Sequence, residues 1–225
     1  MITPEIVRNQ MQRITEELIF VSLSVDQTFP SKRIEGSETR IDFGKADISA
    51  ALRDKPYKEI YNELSDAKSY NFKLIDGAIV QLMYRFEENE IKNHRLAFFP
   101  SPYLEEYQNN PELYENDEIY ADVIRKDIVP FPIRFDFDSR AEVAVDVEHP
   151  QSHLTLGQYL NCRIPVSAPL TPSFFILFIL RNFYNMAFVK FSKKITSFND
   201  SFDQTITGNE RNLIHIQIPQ LGVIS

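Results

Sequence analysis

Residues 131–138 read FPIRFDFD, and this strict alternation of apolar and charged side chains constrains the fold more than any other stretch. Successive side chains of a strand point to opposite faces. One face here is therefore apolar (Ile133, Phe135, Phe137) and the other charged (Arg134, Asp136, Asp138). Residues 142–148 (EVAVDVE) alternate as well. With 139–141 as the turn, the two segments predict an antiparallel hairpin that sets Asp138 opposite Glu142, Asp136 opposite Ala144 and Arg134 opposite Asp146. Arg134, Asp136, Asp138, Glu142, Asp146 and Glu148 would share the polar face, and Ile133, Phe135, Phe137, Val143, Val145 and Val147 the core face.

Helical spacing marks residues 5–23, where Ile6, Ile14, Leu18 and Val21 recur, Thr3 can cap and Pro4 suits the first turn. Residues 26–38 are polar and turn-like, and 40–43 predict a short edge strand. Pro56 opens a second helix whose stripe is Tyr57, Ile60, Tyr61 and Leu64. Residues 78–86 (AIVQLMYRF) and 94–99 (HRLAFF) predict a second hairpin, followed by acidic helical pieces at 103–108 and 111–120. Residues 162–166 (CRIPV) predict a short strand. Thr171 and Pro172 then introduce one continuous helix over 173–190, interrupted by neither Pro nor Gly. Residues 214–218 predict a last strand, kept short by Pro219.

Hairpins with segregated helices predict an α+β fold, an antiparallel β-sheet with helices packed mainly on one face. A chain of 225 residues fits one domain, residues 1–225. Its six glycines are scattered singly, so no phosphate loop of the glycine-rich kind is present.

The formal charge of −8 weighs against a nucleic-acid partner, because grip on phosphates needs a surplus of Lys and Arg, although a local basic groove is compatible with it. Anionic membranes are disfavoured on the same ground. With one cysteine, Cys162, no intrachain disulfide can form. The first 18 residues alternate charge with apolar side chains, unlike a signal peptide, and the most apolar run, 174–180, is too short to cross a bilayer. A cytoplasmic protein that meets a protein partner or a second copy of itself is the expectation.

One constellation can carry chemistry. The charged face of 134–138 leads to His149 and His153, and Arg163 follows after a loop. Crowded carboxylates repel one another and call for a cation. Asp136, His149 and His153 together make a ligand set for a divalent metal ion. The same set can do acid–base work, with Arg134 and Arg163 holding a phosphate or carboxylate. The competing reading is a solvated hairpin face on which Arg134 and Asp146 form an ordinary cross-strand pair and the histidines bond loop backbone. His94 reads as packed, Cys162 as a buried strand thiol, and His215 as an exposed position in the last strand.

The segments FPIRFDFD, HPQSHLTLG and NCRIPVSAPLTPSFFILFILRNFY resemble, in order and spacing, an uncharacterised bacterial family, domain of unknown function 2290. The resemblance covers roughly the second half of the chain and implies a bacterial protein. A slighter likeness is to small toxins of toxin–antitoxin systems. These carry an Arg-x-Asp strand followed by a His-x-x-His-like stretch, matched here by Arg134, Asp136, His149 and His153. That likeness implies an RNA- or nucleotide-directed hydrolytic role.

Two functions follow. One is a toxin-like or defence-associated phosphodiester hydrolase working through Arg134, Asp136, His149, His153 and Arg163. The other is a non-catalytic module of a defence or toxin–antitoxin system, docking a partner through the apolar helix near 174–189 and the acidic segment 104–122.

Overall fold

The computed structural model describes residues 2–44, 54–103 and 130–220. The acidic segment 104–122 lies outside the described residues, and with it the helical pieces expected beyond Tyr103. Helix α1 (Pro4–Phe20) begins where Thr3 Oγ1 accepts the Ile6 N–H, and its stripe of Val7, Met11, Ile14 and Leu18 is buried. Strands β1 (Ser24–Gln27), β2 (Ser31–Glu35) and β3 (Glu38–Asp42) follow, then α2 (Tyr57–Asp66) and the strands β4 (Phe72–Leu74), β5 (Ile79–Glu87) and β6 (Glu90–Phe99). Beyond Pro130 come β7 (Ile133–Asp138), β8 (Ser152–Leu156), β9 (Ile164–Pro165) and the helices α3 (Pro172–Phe183) and α4 (Asn185–Phe191).

All nine strands form one antiparallel sheet. Its main path runs β1-β4-β5-β6-β7-β8-β9. A branch, β2-β3, pairs with the far half of β5, so β4 and β3 share one edge of that strand. Among the described residues, helices α1 and α3 cover one face of the sheet and α2 covers part of the other. Val80, Leu82, Phe98, Phe135 and Leu154 meet α1 and α3 in the main core. On the opposite face Tyr61 and Leu64 of α2 pack against Ile79, Ala97 and Phe99. The α+β architecture read from the sequence is thus the one observed.

Several local expectations are corrected. Residues 142–148 form no strand. β7 already pairs with β6 on one edge and β8 on the other, so no edge remains for them. Instead Arg140 to Ala144 makes a helical turn, Val147 takes a left-handed φ of +70°, and Val145 and His149 exchange both backbone hydrogen bonds in a tight loop. Phe135 faces the core, but Val145 is 49% exposed. Asp146, expected opposite Arg134, instead accepts bonds from Thr207 and Asn209 at 2.6 Å each. The polar stretch 26–38 supplies the end of β1, all of β2 and the first residue of β3, and β3 has neighbours on both sides rather than lying at an edge. Cys162 lies in a turn, half-buried, with its sulfur accepting the Leu156 N–H. Residues 214–218 contribute a single parallel bridge, Ile216 to Val166, and His215 is half-buried there.

The helix expected over 173–190 breaks at Tyr184, and its two halves are bent by 118°. The cause is a buried polar contact. Tyr184 lies 2.8 Å from both oxygens of Asp76, a fully buried carboxyl in the β4–β5 turn. Turning the ring onto Asp76 takes Tyr184 out of helical geometry, to φ −136° and ψ 49°. Burial raises the Asp76 carboxyl above the usual range, although the bonds from Tyr184 and the Ala78 N–H act the other way. No single helix among the described residues is long and apolar enough to cross a membrane.

His94 is packed, as its position suggested. Its ring lies in the core beside Tyr84 and Phe137, and Nε2 accepts the Leu170 N–H at 3.1 Å. Burial pushes its pKa down to about 4.

Two measurements test this packing. Tyr184→Phe leaves the buried Asp76 carboxyl without its hydroxyl donor and should destabilise the protein by roughly 1–3 kcal/mol in urea denaturation; an unchanged midpoint would show that the contact contributes nothing. For His94 the folded-state pKa lies below the unfolded one. The stability it confers is therefore full above about 6.5 and lost as pH falls toward about 4. His94→Gln keeps an acceptor but cannot titrate, so it should flatten this acid limb, by on the order of 3 kcal/mol over the interval.

Candidate functional site

The partly covered face carries the candidate site. Antiparallel register places Arg95 of β6 opposite Asp136 of β7, and Asp136 opposite His153 of β8. Directly opposed residues share a face, so the three side chains form a row across three strands. One position along, Arg134 lies between Ala97 and Thr155. Beside this row a cleft of about 480 Å³ opens, with Ile60 and Leu64 of α2 as part of its lining. Arg134, Asp136, His149, His153 and Arg163, the five residues singled out from the sequence, all line it.

Asp136 is the centre of the row. Oδ1 accepts from Arg95 Nε at 3.0 Å and Oδ2 from Arg134 Nε at 2.5 Å, with 15% of the side chain exposed. Burial opposes ionisation, but the two guanidinium groups outweigh it and hold the carboxyl below its ordinary range. It is a carboxylate clamped by two cations. The same clamp argues against the expected metal set, because each oxygen is already committed to an arginine. Among the described residues no group of three His, Cys, Asp or Glu side chains is gathered as a metal ion requires.

His153 is buried, and its Nδ1 lies 2.9 Å from the Pro150 carbonyl. A carbonyl only accepts, so Nδ1 carries the hydrogen and Nε2 the lone pair. Nε2 lies 3.9 Å from Asp136 Oδ2. Burial, with help from His149 and Arg134, lowers the imidazole below its ordinary pKa, while Asp136 and the Pro150 bond raise it. The ring is therefore a neutral base at pH 7. His149 reaches the same place from the closed 145–149 loop, and the two ring centroids are 5.1 Å apart. Gly157, at φ +62°, turns the chain after β8 so that Tyr159 and Arg163 reach the cleft lining.

The structure also adds residues. Arg95 is the main one, and its sequence signal was a charge between His94 and Leu96, just before the apolar run 96–99. Arg140 joins the lining through a bidentate pair with Asp138, its Nε and a terminal nitrogen at 2.9 and 2.6 Å. Glu142 and Glu148, expected on the same face as Arg134, are exposed in the loop and do not line the cleft.

The family model described as Uncharacterized conserved protein (DUF2290) matches residues 23–218. No curated protein and no solved structure matches the chain.

Asp136→Asn should destabilise the protein by roughly 1–3 kcal/mol at pH 7, since Arg95 and Arg134 lose their counter-charge. The sign of the pH dependence follows from the depressed folded-state pKa. Asp136 confers stability above its unfolded pKa and loses it as pH falls through the folded one. The gap between parent and variant should therefore narrow on acidification. A gap that is constant with pH would contradict the ion-pair account.

Proposed function

The chain belongs to this uncharacterised family, and we propose that its cleft binds a phosphodiester and cleaves it by acid–base catalysis. The observation that supports this reading is the convergence of Arg134, Asp136, His149, His153 and Arg163 on one cleft around a neutral histidine. Arg134 spends Nε on Asp136, leaving its terminal amino groups for an anionic oxygen, and Arg163 pairs with no carboxylate among the described residues. Guanidinium groups so placed suit the non-bridging oxygens of a phosphate, whose negative charge they offset in the transition state.

His153 is the base of this scheme. The hydroxyl of water or of the substrate itself attacks phosphorus. A new P–O bond forms as the bond to the leaving oxygen breaks. The proton of the attacking hydroxyl passes to His153 Nε2, and His149 donates one to the leaving oxygen. Asp136, 3.9 Å from Nε2, stabilises the imidazolium that results. Such an activity suits a toxin or a defence-associated nuclease in a bacterial cytoplasm, and growth arrest on expression is its cellular readout.

The docking-module reading rests on the C-terminal part of the 174–189 segment. The buried side chains of α3, Phe175, Ile176, Ile179 and Leu180, belong to the core, and the exposed apolar surface within 174–189 is at Met186 and Val189 of α4.

The test is cleavage of single-stranded RNA and DNA by purified protein in the presence of a chelator, beside His153→Ala. The parent should cleave, and the variant should lose roughly 10²–10⁴-fold in rate while keeping its melting temperature to within a few degrees. Full activity in His153→Ala, or abolition of the parent's activity by the chelator, would defeat the scheme. Failure to cleave any phosphodiester would leave a binding module for a protein partner or a second copy of the chain.

A further inference from the structure

The cleft does not end at the row. It shares Asn93, Arg95 and Arg140 with a second groove, which Arg40, Asp42, Met83 and Arg85 continue across the sheet. That groove exists because β3 takes the far half of β5. The register there is Arg33 opposite Arg40, and Arg40 opposite Arg85, followed by Asn93 and Asp138 on the next two strands. Three arginines thus stand directly opposed on adjacent strands, an arrangement that destabilises a sheet on its own account. Asp42 and Glu38 offset part of the cost, through Arg33–Asp42 at 2.6 Å and Arg85–Glu38 at 3.5 Å, with Glu38 also paired to Arg40.

The charge here runs against the rest of the molecule. The lining of the two grooves holds six arginines (Arg40, Arg85, Arg95, Arg134, Arg140, Arg163) against three aspartates, without lysine or glutamate. The whole chain has 24 basic and 32 acidic residues. A concentration of guanidinium on one face of an acidic protein calls for a polyanion with repeated phosphate-like groups, to which arginine bonds through its planar fork. Tyr159 lines the cleft and is 77% exposed, offering a ring face on which a base can stack. From β3 to β8 there are four steps between strands, about 19 Å at ~4.8 Å each.

We infer that this face is a binding track for a single-stranded polynucleotide, which crosses the strands over Arg40 and Arg85 and presents a phosphodiester to the cleft. The inference rests on the reading of the cleft as a phosphodiester site and extends it from one phosphate to a chain of them. It also accounts for an acidic protein acting on nucleic acid, since binding is confined to one face and the remaining surface repels.

The experiment measures binding by fluorescence anisotropy in the non-cleaving His153→Ala background. The ligands are a trinucleotide, a single strand of about twelve nucleotides (a length within the site sizes of single-strand binders) and a polyglutamate of matching charge. The longer strand should bind more tightly than the trinucleotide, and more tightly than polyglutamate. The double variant Arg40→Gln with Arg85→Gln should reduce the slope of log affinity against log salt for the longer strand by about 1.4, at ~0.7 for each phosphate that is no longer neutralised. A melting curve confirms that this variant is folded. An unchanged slope, no gain of affinity with length, or equal binding of polyglutamate would overturn the track while leaving the cleft reading intact. Absence of binding by trinucleotide and longer strand alike would remove the cleft reading and the track together.

Discussion

Strand β5 is the joint of the sheet: β6 runs along one whole edge, and β4 and β3 divide the other. That division leaves a gap in the ladder beside Leu82. Side chains fill it, with the Leu82 N–H donating to Asn71 Oδ1 and Gln81 donating to the Ser69 carbonyl, both at 2.6 Å. Once Val80, Leu82 and Phe86 are turned toward α1 and α3, the alternation is set for each strand beyond. Arg95, Asp136 and His153 must then emerge together on the other face. A slip of one residue in any of these pairings would bury the charges and expose the core. The position of the cleft therefore follows from the hydrophobic pattern of strands that contribute nothing to its chemistry.

What the sequence made legible was local. The alternation of 131–138 identified β7 and its charged face, and the caps at Thr3 and Thr171 located two helix starts. The five polar residues that converge were recognisable because they lie within thirty positions of one another. Pairing was not legible. Residues 142–148 have the right parity for a strand, yet alternation says nothing about whether an edge is available, and β8 had taken it. Arg95 was missed because its partner lies 41 positions away. The break at Tyr184 depends on Asp76, in a turn 108 positions earlier, and no helix propensity encodes that contact.

The electrostatics of the row set its chemistry. Burial resists protonation of His153, while the Asp136 carboxylate beside it favours protonation more than Arg134 opposes it. A bound anion would change that balance. Additional negative charge near Arg134 favours the imidazolium, so occupancy of the cleft makes the base stronger.

The row Arg95–Asp136–His153 has a consequence for how the protein comes into being. Each member sits on a different strand, and the strand that contributes the histidine is followed by the β9 segment and helix α3 that close the core beneath it. Contacts of such long sequence separation form late, because the entropy of loop closure must be met before they stabilise anything. A nascent chain leaving the ribosome carries Arg95 first, then Asp136, then His153, and α3 only after all three. Until the strands through β8 and the helix α3 that backs them have been made, the row has no framework on which to assemble.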